Sequence, residues 1–197
     1  MNALLNKLGI PPEIQAFFKA ESLVFNYGND VEYFGSGFHL VPTTSHLFIA
    51  GGEVTKELIL TSSVMEAVAF LTLNAHHYTN LGDLSVIAMG NLPHRGQLAR
   101  IGQGWQKRKI TMVFGKDVLG RLTDIRVAAG IRNKEVRFTL RKEMIDIEYN
   151  LVHYRFTSDK LSLHMFEKAA ALRSGIRTSK PKQFDTFLTQ LIYDAAK

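Results

Sequence analysis

One segment of the chain carries residues that could bind phosphate or a metal ion. The segment 109–132 is predicted to form a buried strand, a tight polar turn and an amphipathic helix. In an open α/β sheet, ligands gather at such corners because backbone donors and short side chains converge at the carboxyl end of the strand. This turn contains Gly115, Lys116 and Asp117. It therefore offers one carboxylate, whereas a divalent cation usually takes several oxygen ligands.

A second carboxylate could complete such a site. Glu66 lies near the start of a helix that follows another predicted strand, so it could approach Asp117 and form a pair that binds Mg2+ weakly. Asp124 lies about 10 Å further along the helix than Asp117, too far to share one ion. The competing interpretation is that Glu66 favours its own helix N-terminus and Asp117 caps the next helix. We favour this capping interpretation and expect no tightly bound cofactor.

Composition limits the class of protein. The chain has 197 residues, of which 46% are hydrophobic, so it can bury one substantial core. It contains no apolar run of about twenty residues and no secretion signal at its start, which predicts a cytoplasmic protein without a membrane partner. The absence of cysteine excludes disulfides, thiolate zinc sites and a thiol nucleophile.

The net charge of +6 is unevenly distributed, and clustered cations can neutralise phosphates. A short basic run is most often only a solvated surface, so the nucleic-acid hypothesis depends on several clusters acting together. Trp105 could stack a base beside one cluster, although such a ring more often packs against a sheet edge. The residues predicted to bind nucleic acid are Trp105, Lys107, Arg108, Lys109, Lys116, Arg121, Arg173, Arg177, Lys180 and Lys182.

The hydrophobic pattern divides the chain into three parts. Residues 1–55 are predicted to form a helix and a small β meander, and residues 141–197 a mainly helical extension. Between them, residues 56–140 alternate strand and helix, which predicts an α/β fold with a mostly parallel sheet flanked by helices. The predicted strands of this sheet are 58–61, 84–89, 110–114 and 136–140, and the predicted helices are 65–74, 93–106, 118–129, 158–173 and 181–196. The pattern at 144–149 permits either a strand or a helix.

The first strand-to-helix corner of the α/β part resembles the first Toprim motif. In that motif a strand ends at a glutamate and a glycine, and a helix begins at an aspartate followed by alanine. In the segment 59–67, Ser62 stands at the glutamate position, Ser63 at the glycine and Glu66 at the aspartate.

Two later segments continue the resemblance. Residues 86–91 resemble the second Toprim strand and its glycine turn. Residues 114–121 are similar to the third motif, an Asp-x-Asp followed by a glycine and a basic residue, but Gly115 stands at the first aspartate. The likeness covers about residues 56 to 140 and extends to the small β segment that precedes Toprim domains in bacterial primases and in primase-like proteins of mobile elements.

The resemblance implies a Toprim-like fold with a degenerate active site. Members of the family act on phosphodiester bonds, with the glutamate as acid or base and the Asp-x-Asp carboxylates holding Mg2+. Ser62 does not ionise near neutral pH and Gly115 has no side chain, so this catalysis should be absent or badly weakened. We therefore expect a non-catalytic accessory protein of DNA metabolism, in replication or a mobile element, that binds DNA or replication and mobilisation proteins.

Two other functions remain open. Glu66 and Asp117 could hold one Mg2+ and support a weak nuclease or nucleotidyl transferase activity. Alternatively, the apolar faces of the last two helices could form a protein-interaction module. The sequence leaves the oligomeric state undetermined.

Overall fold

The structure, a computed structural model, describes residues 2–52, 54–105 and 108–197. Within these ranges the α-helices are α1 (Ala3–Lys7), α2 (Pro12–Phe18), α3 (Val64–Leu73), α4 (Arg95–Gly104), α5 (Val118–Ile131), α6 (Leu163–Ala170) and α7 (Phe187–Ala195). The strands are β1 (Val24–Tyr27), β2 (Asp30–Gly35), β3 (Phe38–Leu40), β4 (Phe48–Gly51), β5 (Glu57–Thr61), β6 (Leu84–Ala88), β7 (Lys109–Val113), β8 (Val136–Arg141), β9 (Met144–Tyr149), β10 (Val152–Thr157) and β11 (Arg177–Thr178). None of the helices described is long and apolar enough to cross a membrane.

A five-stranded sheet forms the centre of the fold, in the order β11-β7-β5-β6-β4. Strands β11, β7, β5 and β6 run parallel to one another. Strand β4, at the edge of the sheet, pairs antiparallel with β6. The predicted α/β class with a mostly parallel sheet is therefore confirmed. The chain passes from β5 to β6 on one side and then crosses back to β7 on the other side, so the connecting helices lie on opposite faces.

The two faces of this sheet bury different side chains. Ile59 of β5 packs in a core with α1, α2, α3 and α7. Its neighbours Leu58 and Leu60 point to the other face and pack in a second core with α4, α5 and α6. Since β5 and β6 are buried on both faces, their sequences are mostly apolar and do not alternate between apolar and polar residues.

The small N-terminal meander is present but shorter than predicted. Strands β1, β2 and β3 form an antiparallel sheet, and Phe25, Tyr27 and Phe34 of this sheet pack into the first core. The last strand within residues 1–55, β4, does not belong to this meander and instead joins the central sheet as its antiparallel edge. The pairing of β4 with β6 is a long-range contact that the local pattern does not encode.

The segment 144–149, for which the pattern permitted either a strand or a helix, forms β9, so the C-terminal extension contains strands besides its helices. The predicted strand 136–140 does not join the central sheet. Instead β8, β9 and β10 form a separate antiparallel sheet. Tight turns cause this, because Lys142 between β8 and β9, and Asn150 and Leu151 between β9 and β10, adopt positive φ and reverse the chain. Ile145 and Ile147 on the inner face then pack into the second core.

The last two helices begin later than predicted. Helix α6 is capped by Ser162, not Ser158, and α7 is capped by Thr186, well after the proline at position 181. The segment before α6 is not helical. In this segment, the carbonyls of Ser158 and Leu161 accept hydrogen bonds from the guanidinium of Arg121. Each of the two caps accepts a hydrogen bond from the third residue of its helix.

Gly120 allows α5 to pack tightly against the turn that precedes it. A methyl group on Gly120 would collide with the carbonyl of Gly115. We expect Gly120→Ala to lower the free energy of unfolding by about 3 kcal/mol, since the backbone of that turn cannot move without disturbing β7. Gly104→Ala is the matched control, because its methyl group would meet no atom within 4 Å, and urea denaturation should show it unchanged or slightly more stable. Equal effects of the two substitutions would contradict this close packing.

Candidate functional site

The carboxyl ends of β5 and β7 form the predicted corner of the sheet. These two strands are adjacent, with Thr61 paired to Val113, and their following helices lie on opposite faces. This is the topological switch point at which ligands of open α/β sheets usually bind. Ser62 follows the first strand and Gly115 follows the second. The fold therefore places next to each other the two strand-to-helix turns in which the sequence analysis predicted a site.

Asp117 serves as the N-cap of α5, as the capping interpretation predicted. Its Oδ1 accepts a hydrogen bond of 2.8 Å from the amide of Gly120. Gly115 is packed closely beside it, since a Cβ there would lie 2.9 Å from Asp117 Oδ1 and 3.2 Å from the carbonyl oxygen of Asp185. A side chain at position 115 would therefore displace either the cap or the C-terminal segment.

Glu66 caps a different helix from the one predicted. The start of its own helix is capped by Ser63, whose Oγ accepts from the Glu66 amide at 3.1 Å. The Glu66 carboxylate instead accepts from the amides of Phe187 at 3.0 Å and Leu188 at 3.4 Å, at the start of α7. Burial raises the pKa of Glu66, and the hydrogen bonds from Thr186 and these two amides partly oppose that shift. The structure thus assigns Glu66 to the C-terminal helix and does not pair it with Asp117.

The C-terminal segment 179–188 crosses the predicted corner and covers it. The Asp185 carbonyl accepts from the amide of Lys116 at 2.9 Å. Lys180 Nζ donates to the carbonyls of Phe114 at 3.2 Å and Gly115 at 3.0 Å, and it pairs with Asp124 at 2.6 Å. These contacts place the C-terminal segment over the corner, and a depression lined by Lys116, Asp117 and Arg121 remains beside it.

Lys180 consequently has a structural role, and its predicted contact with nucleic acid stays a prediction. Its partner Asp124 is 1% exposed. Burial raises the pKa of Asp124 to about 6, although the nearby ammonium of Lys180 acts in the opposite direction. Burial likewise lowers the pKa of Lys180, partly offset by Asp124. The pair holds the C-terminal segment to α5.

Arg121 is also engaged internally. Its Nε donates to the carbonyl of Lys116 at 2.9 Å, and one terminal nitrogen donates to the carbonyls of Ser158 at 3.1 Å and Asp159 at 3.2 Å. The guanidinium thereby ties the turn after β7 to the segment before α6. Arg121 thus supports the backbone of the turn, and its predicted contact with phosphate stays a prediction.

In the cluster around Trp105, the side chains of Trp105 and Arg108 are half-buried and Lys109 is exposed. Trp105 ends α4 and packs half-buried against the second core, and the guanidinium of Arg108 lies 5.6 Å from its ring centre. Lys109 forms an exposed ion pair with Glu57 at 3.5 Å. Lys107 lies outside the described residues. Stacking of a base on Trp105 stays a prediction.

The remaining predicted cations lie along one edge of the central sheet. We call this group, together with Arg132, the basic edge; its members are Arg132, Arg173, Arg177, Lys182 and Lys116. Arg132 ends α5 and donates to the carbonyl of Ser174 at 2.7 Å. The chain then runs up β11, parallel to β7, and reaches the corner, where Lys116 Nζ lies 3.4 Å from the Lys182 carbonyl.

No acidic side chain within 4.0 Å pairs with the basic edge in the part of the chain that the structure describes. Arg173, Arg177 and Lys182 are exposed to solvent. Arg132 was missed by sequence reasoning, because its position at the end of α5 gives no sign of which later segment it meets.

Sequence reasoning also missed a buried carboxylate beneath the start of α3. Glu32 is fully buried and accepts from the amides of Val64 at 2.8 Å and Met65 at 3.0 Å. It also accepts from the hydroxyl of Tyr27 at 2.6 Å and lies 3.0 Å from His39 Nε2. One sequence pattern could have indicated this burial. Glu32 lies two residues before a buried phenylalanine in an alternating strand, so both side chains face inward.

The fold and this site define an α/β protein whose C-terminal segment lies over the sheet corner. Along the basic edge it carries cations that have no acidic partner in the described part of the chain. Comparison of the chain with protein-family models, with curated proteins and with solved structures gave no match. Among residues 2–52, 54–105 and 108–197, no group of three or more His, Asp or Glu side chains is arranged to hold a metal ion.

Proposed function

We propose that this protein is a non-catalytic, Toprim-like accessory protein of DNA metabolism that binds nucleic acid along the basic edge. The observation that carries the proposal is the run of solvent-facing cations, without acidic partners in the described structure, from the end of α5 to the corner of the sheet. Cations in such a row can contact successive phosphates and release their counterions.

The positions of the corner residues support a binding role over a catalytic one. Ser62 and Gly115 stand at the positions where the resemblance places catalytic acids, and neither can ligate Mg2+ as a carboxylate does. The nearby carboxylates of Glu66 and Asp117 are engaged as caps of two different helices. A role in replication or in a mobile element rests on the resemblance to primase-like proteins.

The rigid attachment of the basic edge also supports the proposal. Arg177 lies on a strand that is hydrogen-bonded to β7, and Lys182 is followed by a helix whose start is held by Glu66. Cations on a fixed backbone lose less conformational freedom on binding than cations on a mobile tail.

Removal of the exposed cations from the basic edge should weaken DNA binding and reduce its dependence on salt. We expect the triple variant Arg173→Gln/Arg177→Gln/Lys182→Gln to bind both single-stranded and duplex DNA more weakly. The slope of log affinity against log salt concentration should become shallower by roughly 2 to 3, because each lost phosphate contact removes about 0.7 to 0.9 from it. Fluorescence anisotropy with labelled oligonucleotides across a salt series measures both quantities.

The matched control removes three exposed cations from other surfaces, in Lys7→Gln/Arg100→Gln/Lys142→Gln. This control changes the net charge by the same amount, so it separates a local site from a general charge effect. If both triple variants lose the same affinity and slope, or if the unaltered protein shows no salt-sensitive binding at micromolar concentration, the proposal fails.

A further inference from the structure

A depression of about 420 Å3 lies beside the basic edge, between the end of α3 and strand β11. It is lined by Thr111 of β7 and Arg177 of β11, which pair with each other in the central sheet. Ile59 of β5 pairs with the same threonine and faces the first core, so Thr111 and Arg177 lie on the α3 side of the sheet. The depression therefore opens next to a cation of the basic edge.

An aromatic ring lines the depression together with Arg177. Tyr78 is half-buried, and its ring centre lies 5.5 Å from that of Phe70 in an edge-to-face arrangement. Burial raises the pKa of the Tyr78 hydroxyl, and the charge of Glu57 raises it further. Thr111 and Arg177 act in the opposite direction. The hydroxyl therefore stays uncharged near neutral pH, close to one carboxylate and one guanidinium.

The charges around the depression suit the two parts of a nucleotide. Arg177 is exposed and has no acidic side chain within 4.0 Å among the residues described, so it can contact a phosphate. The carboxylate of Glu57, which pairs with Lys109 at 3.5 Å, lines the same depression and disfavours a second anion there. A nucleobase is uncharged, with an aromatic face and donors along its edge, so it suits a pocket formed by Tyr78 and Glu57.

We propose that this depression accepts one unpaired base of single-stranded DNA, with the base against the ring of Tyr78 and the adjoining phosphate on Arg177. The inference rests on the proposed function, because it assigns the kind of DNA that the basic edge binds. Bases in a duplex are paired and stacked, so they cannot enter a pocket without leaving the helix. Thr111 and Arg177 lie on paired strands, so the cation is held in a fixed position beside the depression.

Oligomers with and without bases test this assignment on the unaltered protein. One probe is a single-stranded oligothymidylate, and the other is a fully abasic deoxyribose-phosphate oligomer of the same length, with the same phosphates. We expect the oligothymidylate to bind at least about fivefold more tightly, which is the lower end for one base stacked on an aromatic ring. The slope of log affinity against log salt concentration should be the same for both, because the phosphate contacts are the same. Fluorescence anisotropy measures both quantities.

Replacement of Tyr78 tests the location of the base. Tyr78→Ala should weaken oligothymidylate binding at least about fivefold and leave both the abasic oligomer and the salt slope unchanged. The matched control is Tyr33→Ala, which removes a ring that is 45% exposed on β2 and lies outside the lining, and it should leave both probes unchanged. Since Tyr78 packs on Phe70, 1H–15N NMR spectra of the unaltered protein provide a test without substitution. Oligothymidylate should shift the amide signals of Tyr78 and Thr111, and the abasic oligomer should not shift that of Tyr78.

The outcomes separate this inference from the proposed function. Equal, salt-dependent binding of the two oligomers would overturn the base pocket and leave the binding of phosphates along the basic edge intact. An unchanged preference for oligothymidylate in Tyr78→Ala would also overturn the pocket. If neither oligomer showed salt-sensitive binding, the base pocket and the proposed function would both fail.

Discussion

Replacement of Glu32 by alanine is expected to lower the free energy of unfolding by at least about 4 kcal/mol. The substitution leaves the amides of Val64 and Met65 and the Tyr27 hydroxyl without their acceptor. It also removes the contact of Glu32 with His39 Nε2. Each buried group that loses its partner costs about 1 to 3 kcal/mol, and the total approaches the whole stability of a typical domain. Urea denaturation followed by circular dichroism measures this effect.

Two further variants define the cause of the Glu32 effect. Glu32→Gln keeps the volume and one acceptor oxygen but places an NH2 donor among donors, so we expect an intermediate loss of about 2 kcal/mol. Glu143→Ala removes an exposed carboxylate from the turn between β8 and β9 and should change stability by less than about 0.5 kcal/mol. If Glu32→Ala were as mild as Glu143→Ala, the buried network would not stabilise the fold as described.

Replacement of Lys180 by methionine is the second substitution with a large expected effect. It removes the partner of Asp124 and the donor to the carbonyls of Phe114 and Gly115. Breaking a buried ion pair from one side costs about 3 to 5 kcal/mol, and we expect about 3 kcal/mol because Lys180 is 25% exposed and Asp124 can take up a proton. The measurement is urea denaturation at pH 7.

The pH dependence of this variant follows from the direction of the Asp124 shift. The pKa of Asp124 is about 6 in the folded protein, above its ordinary value of 3.8, so this group contributes stability below pH 3.8 that is lost as the pH rises through 6. Lys180→Met removes the cation that lowers the pKa of Asp124. The loss of stability with rising pH should therefore extend to higher pH in the variant. A carboxyl 13C titration should show the Asp124 midpoint above 6 in the variant.

The double variant Lys180→Met/Asp124→Leu serves as the control for the pair. Replacing both buried charges with apolar groups removes the unpaired carboxylate, so the double variant should be more stable than Lys180→Met alone. If Lys180→Met alone had no effect on stability or on the Asp124 titration, the ion pair would not hold the C-terminal segment.

The order of the motifs predicts the strand ends that form the corner of the sheet, but it does not predict the C-terminal segment that covers this corner. The sequence placed Ser62, Gly115 and Asp117 at adjacent strand ends, and the structure agrees. It could not show that Lys180 and Asp185 lie across the same corner, since nothing in the local pattern of residues 179–188 indicates where that segment docks. Charge patterning likewise selected Arg121 and Lys180 as surface cations, although tertiary contacts direct both inward.

The sequence by itself determined the features that depend on neighbouring residues. The mostly apolar strands β5 and β6, the cap at Asp117, and the α/β class all follow from local pattern and periodicity. Tertiary structure alone decided which distant partners each group meets. Glu66 caps a helix 121 residues away, and Glu32 supports one that begins 32 residues later. The physical reason is that a buried polar group must find a hydrogen-bond partner, and only the folded chain determines which donors lie within reach.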